Sequence, residues 1–126
     1  MKKLTPLAYE LGAALLRRHA EVCAPLNLSK DSVTRTIVDE CTIPYKALCA
    51  SVGAVEMTEK VGDFLNELAE WCQSCGLPPI NALAVNGQTG YPGVGYFLAP
   101  GCGNWDDEVA ACIACKAYPA RLPRNA

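Results

Sequence analysis

Histidine is almost missing from this sequence: His19 is the only one in 126 residues, and it follows Arg17 and Arg18 on what reads as a helix exterior. A single imidazole excludes a multi-histidine metal centre, and no nucleophile stands beside a base. The chain is therefore expected not to be an enzyme and to need no cofactor. Long apolar runs are also lacking. None approaches the roughly 18 to 20 residues of a membrane helix, and the amino terminus lacks the charged, apolar, small-residue order of a secretory signal. A cytoplasmic protein with no membrane partner is expected. Net charge is small, −2 with a pI near 5.3, which excludes a surface that seeks polyanions as a whole.

Apolar residues and cysteine are plentiful. Half the chain is apolar, enough for one ordinary core in a single domain without metal or disulfide staples. In a reducing compartment the eight cysteines count as small apolar residues or metal ligands rather than as bridges.

Thr5, Pro6 and the apolar face of Leu7, Leu11, Ala14, Leu15 and Val22 predict a helix over 6–22. Residues 23–41 mix turn formers and polar residues and read as a connection with one extra helical turn. A short helix follows over 44–52, with Gly53 as its stop. The strongest periodicity is next: Val61, Phe64, Leu65, Leu68, Cys72 and Cys75 recur at steps of three and four, with Thr58 as cap and Gly76 and Pro78 as terminators. "NALAVN", "GQTG" and "YPGVGYFL" read as a β-hairpin over 82–98. Asp106, Asp107 and Glu108 open a last helix over 105–117, which Pro119 ends.

Cys72–Cys75 and Cys112–Cys115 share one spacing, and each pair admits three readings: redox dithiol, half of a four-thiolate zinc site, or core. A redox cysteine wants a helix amino terminus after a strand, and Cys72 and Cys75 lie at a carboxyl end instead. Pairs within regular helix rarely aim both sulfurs at one tetrahedral metal. Buried apolar thiols, with no metal, are the expectation.

Tyr45, Leu48, Cys49, Val52, Gly53, Val61, Gly62 and Leu65 fall on the pattern Tyr-x-x-Leu-Ala-x-x-x-Gly followed by Val-Gly-x-x-Leu. Over about twenty residues this resembles the helix-turn-helix of the alkylguanine-DNA alkyltransferases and the noncatalytic alkyltransferase-like proteins. The resemblance implies a mainly α, winged-helix-like single domain, with residues 44–75 as helix-turn-helix and the hairpin as wing. Leu48 and Val52 would pack on Val61 and Leu65, and Gly62 would allow close helix approach. The family's acceptor cysteine in Pro-Cys-His-Arg has no counterpart in "LPPINALAVN", so alkyl transfer is not expected. Tyr45 matches the family's phosphate-contacting tyrosine, and Glu59 stands where the family inserts an arginine into the duplex. A second stretch, "GLPPINALAVNGQTGYPGVGYF", is similar to segments of small bacterial and phage proteins, implying a prokaryotic or mobile-element origin but naming no reaction.

Two functional expectations follow. The resemblance implies a noncatalytic module on double-stranded DNA, contacting it through Tyr45, Lys46, Thr58, Lys60 and Asn66. Charge points instead to a protein-interaction module, a dimeric regulator or an inhibitor, whose Glu56, Glu59, Asp63, Glu67 and Glu70 meet a basic partner or which forms a homodimer.

Overall fold

The computed structural model describes residues 3–126, and its first helix, α1 (Pro6–Arg18), starts where Pro6 fixes a helical φ. Thr5 does not cap this helix with its side chain. Its N–H and its hydroxyl both donate to the Glu67 carboxylate, at 2.9 Å each, placing negative charge where the helix dipole favours it. Leu11, Leu15 and Leu16 form the buried face. The helix expected to reach residue 22 widens into a π turn, His19–Cys23. There His19 is buried rather than exterior, because its Nε2 lies 2.8 Å from the Cys112 carbonyl and its ring meets Tyr118 edge-on.

Residues 23–41 are more ordered than a connection. Short 3-10 turns at Ala24–Leu26 and Lys30–Ser32 lead to a true helix, α2 (Arg35–Cys41). Thr34 Oγ1 caps it by accepting from the Ile37 N–H at 3.3 Å. Arg35 holds it from outside by pairing with Asp39, donating to the Gly90 carbonyl, and lying over the Tyr91 ring at 4.4 Å.

β1 (Ile43–Pro44) runs directly into α3 (Tyr45–Ser51). The end of α3 follows from Gly53: at φ +73° it lets Ala54 N–H reach the Cys49 carbonyl and its own N–H reach that of Ala50. A 3-10 segment, Val55–Lys60, turns the chain into α4 (Val61–Ser74). Thr58 lies inside that segment and donates to the Val55 carbonyl at 2.6 Å, so it is not the cap of the long helix. Gly62 is not a close-packing site either, since a Cβ there would meet nothing within 4 Å. The tight glycine is Gly12 on α1, where a Cβ would lie 2.7 Å from Leu68 Cδ2 and 2.8 Å from Leu122 Cδ1.

The expected hairpin over 82–98 does not form. Ile80–Leu83 is a buried 3-10 turn, and β2 (Ala84–Val85) pairs in parallel with β1, Ile43 opposite Ala84 and Pro44 opposite Val85. Val94–Leu98 is a 3-10 turn rather than a returning strand. Pro92 has no N–H to give a ladder, and the Gly93 N–H donates to Tyr45 Oη at 2.8 Å. The molecule is thus mainly helical, a single domain with a small two-stranded parallel sheet.

The last helix, α5 (Trp105–Ala114), is capped by Asn104 Oδ1 and is shorter than 105–117, because Cys115 already has extended ψ. Trp105 Nε1 donates to the Ala82 carbonyl at 2.9 Å, tying α5 to the buried 80–85 segment. No described helix is long and apolar enough to cross a membrane.

Candidate functional site

A cavity of about 390 Å³ opens where α3, the 55–60 turn and the start of α4 face the 81–96 segment. That volume is within the range of small-ligand sites, about 300 to 1,000 Å³. One wall carries Tyr45, Thr58, Glu59, Val61, Gly62, Leu65 and Asn66. The other carries Asn81, Asn86, Gly93, Gly95 and Tyr96.

The chain from α3 through the 55–60 turn into α4 builds the first wall. Tyr45 is the first residue of α3, and Val61 and Leu65 turn their buried face to the core while Gly62 leaves the mouth open. Burial holds the Tyr45 hydroxyl above its usual pKa, against the lowering effect of the Gly93 N–H, so it stays protonated and retains a hydrogen to donate. The second wall comes from the segment expected as a wing, 82–98, together with Asn81 just before it. Asn86 Oδ1 accepts from the Gln88 N–H at 2.8 Å, closing an Asx turn. Tyr96 Oη donates to Glu108 Oε1 at 2.6 Å, and burial, then that carboxylate, raises its pKa.

Asn81 stands apart. It is 2% exposed, lies between Ile80 and Ala82 in the core, and its Oδ1 has no hydrogen-bond partner among the described residues. An unpaired buried acceptor costs about 1 to 3 kcal/mol.

Of the residues expected from the resemblance, Tyr45, Thr58 and Asn66 share the cavity wall; Lys46 and Lys60 are exposed outside it. Of the acidic set, Glu59 lines the cavity, and Glu56, Asp63 and Glu70 are exposed on the same two elements. Glu67 is occupied by Thr5. Sequence reasoning missed Asn81, Asn86 and Tyr96 as site residues, although all three lie in the Gly-Leu-Pro-Pro segment it singled out. The available signal was an asparagine inside an apolar run, "PINALAV".

The Cys-x-x-Cys pairs are built alike, and not as pairs of core thiols. Cys72 and Cys112 are buried, whereas Cys75 and Cys115 occupy the caps of α4 and α5, the first exposed and the second half-buried. Burial pushes the Cys72 thiol up to about 12, opposite to the activation a redox thiolate needs. Among the described residues no three His, Cys, Asp or Glu side chains form a metal-binding group.

No family model, curated protein or solved structure matches the chain.

Proposed function

We propose that this protein is a noncatalytic interaction module, and that the cavity face built on its helix-turn-helix receives a basic protein partner. The observation that carries this reading is charge. The elements forming one wall expose Glu56, Glu59, Asp63 and Glu70 against Lys46 and Lys60, and the opposite wall is uncharged. On that opposite segment Val94, Phe97 and Leu98 are exposed, so the face offers apolar contact beside its carboxylates. The noncatalytic part is supported by the sole histidine, which is buried against a backbone carbonyl and does not line the cavity. The free thiols support a cytoplasmic setting.

One observation favours duplex DNA instead: Tyr45, Thr58 and Asn66 lie together, as the likeness to alkyltransferase-like winged helices implies. Two others oppose it. The helix that would enter the groove is acidic outside, and the wing is replaced by a compact turn.

Fluorescence anisotropy with a labelled Arg/Leu-rich peptide and with a short duplex, each across a salt series, separates the two. Peptide binding that weakens with salt and is lost in the Glu59→Lys/Asp63→Lys double variant is the expected result. Duplex binding with a steep salt slope, strengthened by the same double variant, would replace this reading with the DNA one.

A further inference from the structure

We propose that the partner is a second copy of this chain, joined head to tail: the exposed turn beside the cavity of one copy enters a groove between α1 and the segment after α5 of the next. This rests on the interaction reading above and names the occupant of that face. The turn supplies a knob. Gly93, Gly95 and Tyr96 line the cavity, while Val94, Phe97 and Leu98, outside its lining, are 82%, 45% and 81% exposed. Large apolar side chains exposed together on one turn mark an interaction surface, where scattered ones would not.

The groove supplies the socket. It measures about 500 Å³, and small side chains, Ala13, Ala20 and Ala120, leave it open beside Tyr9. Arg17 and Arg121 also line it, both exposed, and neither guanidinium has a hydrogen-bond or ion-pair partner among the described residues. Glu21 is the single carboxylate in this lining, so positive charge is in excess there.

The two surfaces are complementary in both shape and charge. An apolar turn, beside elements whose Glu56, Glu59, Asp63 and Glu70 outnumber Lys46 and Lys60, meets an apolar groove carrying two unpaired guanidiniums. Arginine suits such a contact, because its weakly hydrated head pairs with a carboxylate while its stem covers apolar surface. A two-fold pair built on the cavity face would instead set carboxylates against carboxylates. The turn and the groove share no residue, so each copy can engage two neighbours, and the contact propagates as a ring or an open chain.

Light scattering coupled to size-exclusion chromatography, run on the full chain from micromolar to millimolar concentration, reads the assembly. The average mass is expected to rise past that of a dimer and to fall back at high salt, where exposed charge pairs are screened. In nitrogen-15 spectra over the same series, the amides of Val94–Leu98 and those of Arg17–Glu21 should broaden together. Leu98→Ser should weaken association at least about fivefold, as the loss of an apolar anchor does. Ala20→Gln, which fills the groove without changing charge, should weaken it as well. Arg17→Glu/Arg121→Glu and Glu59→Lys/Asp63→Lys should each be monomeric. An equimolar mixture of these two should assemble again, because every contact then joins opposite charges. All the substituted positions are exposed, so the variants keep the fold.

Mass that stops at a dimer, with Arg17→Glu/Arg121→Glu still dimeric, would replace the head-to-tail contact by a two-fold one. Association that survives Ala20→Gln would place the turn's docking site elsewhere, and a mixture of the charge variants that stays monomeric would refute the pairing of these faces. A parent chain that is monomeric at millimolar concentration would end the proposal. If the Arg/Leu-rich peptide then still binds in a salt-dependent way, the acidic face stands with a different basic protein as its partner; if the peptide fails too, both readings fall.

Discussion

His19 and Asn81 are both polar groups placed in the core, and they differ in whether the fold satisfies them. His19 is engaged: a carbonyl at Cys112 accepts, so Nε2 carries the hydrogen and the neutral ring suffices. Burial is the largest influence and lowers its pKa below the ordinary value of about 6.5, outweighing the carbonyls of Cys112 and Ile113. A depressed histidine pKa means the unfolded chain binds the proton more readily. The stability it protects is therefore present above pH 6.5 and lost as pH falls through the folded value. We expect the thermal midpoint to drop between about pH 7 and pH 5, before most carboxylates titrate, and the drop to be reduced in His19→Gln. Equal slopes for the two proteins would show that another group controls acid stability. Asn81 has no such partner for Oδ1, and that atom is closed to solvent as well.

At the level of elements, local chemistry and distant partners divide the work. The ends of α3 and α4 were legible because the signals are local: Gly53 and Gly76 both take positive φ, and Leu77 N–H reaches the Cys72 carbonyl just as Ala54 N–H reaches that of Cys49. The cavity wall on α3 and α4 was legible for the same reason. α2 was not, because Arg35 finds Gly90 and Tyr91 more than fifty residues along the chain, and no window of sequence contains that contact. The false hairpin has a similar origin, since alternation in "NALAVN" served burial on both faces of β2 rather than an antiparallel ladder. Asn81 was hidden because its burial is set by α4 and α5 packing around it. Between α1 and α2 the join is Arg18, whose Nε donates to the Cys41 carbonyl at 2.6 Å and whose Nη2 donates to those of Glu40 and Thr42. These are the orphan acceptors at the carboxyl end of α2, where a cation also meets the dipole. Arg18→Lys keeps the charge but has one head group for three carbonyls, so it should cost about 1 to 2 kcal/mol in denaturant unfolding, with Arg18→Ala costing more. A lysine variant as stable as the parent would reduce the clamp to simple charge.

Across the whole molecule, the segment after α5 closes the structure without regular secondary structure of its own. Tyr118 Oη donates to the Pro78 carbonyl, Tyr9 Oη to that of Leu122, and the Leu4 N–H to that of Ala126, so the tail fastens α1 to the loop that begins the cavity's second wall. Leu122 is the apolar part of this closure, buried and, with Leu68, directly over Gly12. α1, α4 and the tail therefore share one tightly filled site, whereas the cavity at Gly62 is left open. Two glycines with similar helical backbones should then respond oppositely. Gly62→Ala should be neutral or stabilising by up to about 1 kcal/mol, while Gly12→Val should cost about 1 to 3 kcal/mol through overpacking. Leu122→Ala should cost about 2 to 4 kcal/mol alone. The double variant Gly12→Val/Leu122→Ala decides whether one packed site is involved: the valine methyls fill part of the space the leucine leaves, so the combined loss should fall short of additivity by about 0.5 to 2 kcal/mol. Strict additivity in urea unfolding would mean that the tail does not pack on α1 at Gly12, and the closure argued here would have to be abandoned.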